Sequence, residues 1–191
     1  FTQLFAEFDA YMGDLLKAIY LKNDQLLRGI SREITLTELI DFEDLNAVKR
    51  SMLEKEIDSF RRDSYVEQFA TLEKKFGLTL RKFKEWPAFV ELSQRRNILT
   101  HNGGLVSDQY LAVCDREGHK FTTRPQLGVS LGVTFEYFTG ALRLLSKVGL
   151  MLAYTLWAKV FPKESSDLHA ELNETIFKCL QQKRWLFVSE W

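Results

Sequence analysis

The sequence predicts a mostly α-helical fold, an up-and-down bundle of amphipathic helices. Three observations carry this. Apolar residues recur at steps of three and four through most of the chain, helix start and stop signals bracket these runs, and the β-branched, turn-rich texture of strands is confined to one short region. At 191 residues, with 46% hydrophobic and 13% aromatic side chains, the chain is long enough to bury a full core.

From the amino end, Leu4, Phe8, Tyr11, Leu15 and Ile19, flanked by Phe5, Met12 and Leu16, predict a first helix of about five turns. Thr2 is placed to cap it. After a linker around residues 29–35, the series Leu45, Val48, Met52, Ile57 and Phe60 predicts a second helix. Ser64 and Glu67 form a capping box ahead of Val66, Phe69, Leu72 and Phe76, and Gly77 stands where that third helix should stop. Trp86-Pro87 opens a fourth, since proline is tolerated in a first turn, and nothing breaks the helix before Gly103 and Gly104.

Residues 105–131 then change texture, and the excess of β-branched and turn-forming residues predicts a small β-hairpin or an extended excursion. Thr134 opens the longest helix, with Phe135, Phe138, Leu142, Leu145, Leu152 and Leu156 in one stripe and Ala141, Val148 and Met151 widening it. Gly140 and Gly149 would let neighbours approach. Arg143, Lys147 and Lys159 interrupt its apolar run, so it reads as a core helix rather than a membrane span. A break at residues 162–166 precedes a shorter helix carrying Leu168, Leu172, Ile176 and Cys179. We therefore expect residues 1–161 to form the principal domain and 162–191 a helical extension, ending in the aromatic WLFVSEW, which would pack on a partner or lead into further helices. The chain opens on Phe1 and is read as part of something longer.

Charge narrows the function classes. Lys plus Arg equals Asp plus Glu, 26 each, so no global field draws nucleic acid or acidic membrane, and any polyanion site must be local. Two distant cysteines, Cys114 and Cys179, fit a reducing compartment and a cytoplasmic location. Cys114 reads as a small buried apolar residue. No histidine, cysteine and carboxylate set has metal spacing. Glu38, Asp41, Glu43 and Asp44 read as a solvated face or helix start rather than a cation site, and His119 and His169 as exposed polar residues. Ser93 and Ser107 lack the G-x-S-x-G context of an acyl hydrolase.

What remains is RRNILTHNGG, residues 95–104. Four residues apart on a helix, Asn97 and His101 share an edge, and Arg96 lies on the adjacent face within reach of a shared anion. His101 falls at the helix end, where unpaired carbonyls favour an imidazolium and where histidine can donate or accept a proton near neutral pH. The plainer reading is a capped helix end, with His101 on its own helix's carbonyls. Just upstream, Lys74, Lys75, Arg81, Lys82, Lys84, Arg95 and Arg96 outnumber Glu73, Glu85 and Glu91, a local surplus suited to RNA; Phe83 and Trp86 either stack on bases or belong to the core. Glu91 either orients Arg96 or pairs with Arg95 at i,i+4.

Arg96-Asn97-Ile98-Leu99-Thr100-His101 resembles the R-N-x-x-x-H motif of HEPN domains, the higher eukaryote and prokaryote nucleotide-binding family. Asn102-Gly103-Gly104, Tyr110-Leu111 and the long apolar helix follow in the family's order, so that the resemblance covers roughly residues 80–161. It implies a helical bundle that pairs about a two-fold axis, and, for many members, metal-independent cleavage of single-stranded RNA without a cofactor, in toxins or antiviral defence. Carried over by residue, it implies His101 as general base, Arg96 on the scissile phosphate, and Asn97 orienting either. Arg95, Asn102, Lys82 and Lys84 are the RNA-binding candidates. A non-catalytic module that binds nucleotide, RNA or protein in a larger assembly is the second expectation. One departure concerns regulation: Asn102 and Gly103 stand where some relatives carry a tyrosine modified by a partner nucleotidyltransferase.

Overall fold

The computed structural model describes residues 1–181. Over that range the chain is helical apart from its connections. The long helices are α1 (Thr2–Lys22), α4 (Leu45–Arg62), α5 (Tyr65–Phe76), α6 (Trp86–His101), α8 (Phe135–Val160) and α9 (Ser165–Gln181); α2 (Asp24–Leu27), α3 (Leu36–Ile40) and α7 (Asp108–Arg116) are short, and a 3₁₀ turn covers Pro162–Glu164. The WLFVSEW tail and the side chain of Cys179 lie outside the described residues.

The punctuation acts as the sequence implies at α5 and α6. Ser64 accepts from the Glu67 N–H while Glu67 reaches back to Ser64, and Gly77 closes the helix at φ 61°. Pro87 sits in the first turn of α6. At the other end of α6, Gly103 and Gly104 adopt φ 57° and 79°, and the Gly104 N–H donates to the Ile98 carbonyl at 2.9 Å, folding the chain back over the last turn of the helix. Thr134 caps α8. Thr2 does not cap α1: Phe1 is the N-cap residue, without a side-chain bond, and Thr2 is already inside the helix.

The core lies where α1, α4, α5, α6 and α8 meet. Phe5, Phe8, Met12, Leu16 and Ile19 of α1 are buried against Leu53, Ile57 and Phe60 of α4 and Leu145, Val148, Leu152 and Leu156 of α8. Aromatic rings fill the centre, with Phe8, Tyr65 and Phe89 mutually within 6 Å. Gly149 meets α1 closely: an added Cβ would lie 3.1 Å from the Tyr11 ring, and the Tyr11 hydroxyl donates to the Gly149 carbonyl at 2.8 Å. Gly140 faces open space. Among the described residues only one face of α8 is covered. Phe135 is 87% exposed and Leu142 44%, so the apolar stripe is narrower than the sequence predicts, as is that of α4, where Leu45 is exposed. Among the described residues α8 is the one helix long and apolar enough to cross a membrane by length and composition. Leu168 of α9 is buried, and Tyr154 of α8 meets Thr175 at 2.8 Å.

The expected β-hairpin is not formed. Its first half is α7, capped by the Ser107 hydroxyl on the Tyr110 N–H, with Tyr110 and Cys114 buried four residues apart. The second half, residues 119–134, is an extended return without a strand, held to the end of α6 by one antiparallel bridge between Leu105 and Ser130. Ile98, Val106, Tyr110 and Cys114 form a small second core beneath this crossing. Burial pushes the Cys114 thiol up to about 12, and the Glu91 carboxylate adds to it, leaving the small apolar residue that the sequence implies.

Candidate functional site

A solvent-open cavity of about 580 Å³ lies over the carboxyl-terminal half of α6. Arg96, Asn97, His101 and Asn102 all line it. Steps of three and four along α6 also bring Ser93 and Gln94 to this face. Its other walls come from distant sequence: Asp9 of α1, Arg61 and Arg62 at the end of α4, Tyr65 and Gln68 of α5, and Gln109 and Tyr110 of α7. Four of the bundle's helices and one short one thus converge on the motif.

Arg96 is held from two sides. Its Nη1 donates to Asn97 Oδ1 at 3.1 Å, and its Nη2 lies 3.5 Å from Asp9 Oδ2. Asp9 in turn accepts from the Tyr65 hydroxyl. Burial, and then the Asp9 charge, push the Tyr65 phenol above its ordinary range, so this hydroxyl stays a proton donor to the carboxylate. The chain Tyr65–Asp9–Arg96–Asn97 fixes the guanidinium plane while leaving some of its five donors unspent. His101 is exposed at the last residue of α6, and no side-chain hydrogen bond ties it to its own helix. Asn102 serves the turn, with Nδ2 donating to the Leu105 carbonyl at 2.8 Å.

The remaining RNA-binding candidates are not gathered here. Arg95 points to the opposite side of α6, where its Nε donates to Glu91 at 2.8 Å and its guanidinium stacks 4.1 Å from the Tyr137 ring centroid. Glu91 is 4% exposed and also accepts from Tyr110 at 2.6 Å and Tyr137 at 2.7 Å. Glu91 therefore orients Arg95, not Arg96, and Arg95 belongs to the scaffold. Lys82 and Lys84 precede α6 and are exposed at its far end, about 20 Å from His101 along a helix rising 1.5 Å per residue. Trp86 is buried and donates to Glu117 at 3.0 Å, and Phe83 packs on the core, so neither offers a stacking face.

Asp9, Arg61, Arg62, Asp63, Tyr65, Gln68, Gln94 and Gln109 line the cavity, though no motif in the sequence singles them out. Three guanidiniums, Arg61, Arg62 and Arg96, face two carboxylates, Asp9 and Asp63, across the lining, which leaves one positive charge before His101 is counted. That is the local surplus a net-neutral chain needs in order to hold an anion. Among the described residues no group of three His, Cys, Asp or Glu side chains is placed to hold a metal ion, and Asp44 and Glu38 cap helices α4 and α3 instead. No protein-family model, curated protein or solved structure matches the chain.

Proposed function

We propose that the chain is a HEPN-like endoribonuclease acting on single-stranded RNA without a metal or cofactor, in a reducing, cytoplasmic setting. The observation that carries this reading is the convergence of Arg96, Asn97 and His101 on one open, net-positive cavity. His101, unencumbered and exposed, takes the proton from a ribose 2′ hydroxyl. The 2′ oxygen forms a bond to the adjacent phosphorus, the bond from phosphorus to the 5′ oxygen breaks, and a 2′,3′-cyclic phosphate remains. Arg96, braced by Asp9 and Asn97, offers planar donors to the phosphoryl oxygens as charge builds on them. Pairing of two copies across the motif would bring His101 of the partner subunit to the leaving 5′ oxygen as its acid. A role in a toxin or in antiviral defence follows from the same resemblance.

The test is incubation of the protein with single-stranded RNA in chelator. Cleavage is expected, with products ending in cyclic phosphate, and His101→Ala should lower the rate by about 10² to 10⁴. Arg96→Ala should do likewise. Intact RNA with the wild-type protein would overturn the nuclease reading in favour of a non-catalytic binding module. One observation speaks for that second reading: Arg96 already spends donors on Asp9 and Asn97.

A further inference from the structure

A buried glycine makes a seat for a second cation at the cavity. Gly13 lies in the interior of α1, where glycine lowers helix stability, and it faces α4. A Cβ added there would lie 3.2 Å from Cδ and 3.7 Å from Nε of Arg61, and 3.3 Å from Cγ2 of Ile57. The missing side chain thus makes room for the Arg61 stem to lie across α1 while Arg61 itself remains exposed, the usual compromise of a long cationic side chain. Arg61 lines the cavity, and among the described residues it forms no hydrogen bond and no ion pair, either with Asp9 or with Asp63, the carboxylates of that lining.

α1 also gives the spacing of the two cations. Arg96 meets it at Asp9 and Arg61 meets it at Gly13, one turn on and about 6 Å along the axis. Burial and the Asp9 charge lift the Tyr65 phenol, and the Arg96 and Arg61 charges both oppose that lift, which puts both guanidiniums within electrostatic reach of one hydroxyl. Two arginines from different helices therefore stand side by side over one stretch of α1, and Asp9 pairs with Arg96 alone.

We propose that Arg61 binds the phosphate next to the scissile one, so that the substrate is a strand with at least two consecutive phosphates. Taking the ligand to be RNA, with Arg96 on the scissile phosphate, rests on the function proposed above. Neighbouring phosphates of an extended strand are separated by a distance of the same order as the two arginine seats, and a planar guanidinium takes two phosphate oxygens at once. The two arginines then divide the work. Arg96, tied to Asp9 and Asn97, is set on the reacting group, whereas Arg61, with its donors open, supplies binding and register.

The experiment uses the full-length His101→Ala chain, disabled for cleavage. Its affinity for a fluorescent single-stranded RNA of mixed sequence is followed by anisotropy from about 50 to 200 mM salt. Adding Arg61→Gln, which keeps part of the stem and removes the charge, should weaken binding about tenfold and reduce the slope of log Kd against log salt by about 0.7, the share of one phosphate contact. Arg50→Gln removes the same charge from an exposed residue three turns back on α4, about 16 Å away, and should change neither. Calorimetry with ApA, pApA and ApAp then tests adjacency: a phosphate added at one end or the other should tighten binding about tenfold, and Arg61→Gln should abolish that gain. Unchanged affinity and slope in Arg61→Gln, an equal loss in Arg50→Gln, no gain from a phosphate at either end, or no binding of the RNA would each overturn the subsite. Failure here is separable from failure of the nuclease: RNA cut by a chain indifferent to Arg61→Gln removes the subsite alone, whereas Arg61-dependent binding beside RNA left intact by the wild-type chain removes the nuclease alone.

Discussion

Glu91→Ala tests the division of α6 into a scaffold face and a functional face. The Glu91 carboxylate, 4% exposed, takes three charged hydrogen bonds, from Arg95 at 2.8 Å, Tyr110 at 2.6 Å and Tyr137 at 2.7 Å. Those donors come from α6, α7 and α8, so one side chain ties together three elements around the motif. Removing it strands the Arg95 guanidinium, whose side chain is 17% exposed, and two phenols. Stranding one partner of a buried ion pair costs about 3–5 kcal/mol. For a chain of this size that corresponds to a fall in Tm of about 6–20 °C.

Thermal and urea unfolding followed by circular dichroism reads this directly. Because most of the penalty is the orphaned cation, Glu91→Leu/Arg95→Met should be more stable than Glu91→Leu alone, a sign reversal that independent surface residues cannot produce. A loss below about 1 kcal/mol for Glu91→Ala, or a double variant that merely adds the two single losses, would refute the assignment of Arg95 to the scaffold.

Gly104→Ala should destabilise the protein by about 1–3 kcal/mol in the same unfolding assay, since its φ is 79° and an added Cβ would lie 3.2 Å from the Leu131 carbonyl oxygen and 3.3 Å from the Leu99 side chain. Gly103→Ala, at φ 57° with nothing within 4 Å, should cost less, about 1–2 kcal/mol. Stability should also fall as the solution becomes alkaline. Burial raises Cys114 and Tyr11 to about 12, and burial with neighbouring carboxylates lifts Tyr65, Tyr110 and Tyr137 as well. Groups raised in the folded state bind protons that the unfolded chain has released, so their contribution is full below the unfolded value, near pH 9 for the thiol, and is lost as pH climbs to about 12. Urea midpoints measured from pH 8 to 11 check it, and a flat profile would contradict the burial of these groups.

What the sequence made legible was local. The Ser64–Glu67 box, Pro87, the glycine pair and the Thr134 cap each act within one turn of chain, and each forms as read. The reading failed where local texture misled. Val106, Val113 and Val129 looked like strand material, but Ser107 is a cap, and Tyr110, Val113 and Cys114 lie at helical spacing, signals that a stricter count would have favoured. Thr35 and Glu38 likewise form a complete capping box that starts α3. Half the cavity was out of reach for another reason. Asp9, Arg61, Arg62 and Gln68 meet the motif only through tertiary packing, and nothing in their own neighbourhoods points to residue 96. The one available sign was polarity out of place: Gln68 among Tyr65, Phe69 and Leu72, and Gln94 between Val90 and Ile98, occupy positions that the periodicity gives to the core.

The same nonlocality makes Asp9 the residue on which the site turns. An arginine at the rim of a cavity can sweep a wide arc, and fixing its guanidinium takes a partner that does not belong to its own helix. Asp9 supplies that from α1, and it is itself fixed by the Tyr65 hydroxyl from α5, so the position of Arg96 is set by the packing of three helices and not by the motif. The carboxylate also limits the field. It cancels one of the three lining guanidiniums at close range, which keeps the attraction for any anion short-ranged and local to the cavity. An isolated α6 would keep the sequence Arg96 to His101 in register, yet it would have neither the brace for Arg96 nor the cavity walls that α1, α4 and α5 supply. The chemistry proposed for the motif is therefore a property of the assembled bundle, and helix propensity alone would not produce it.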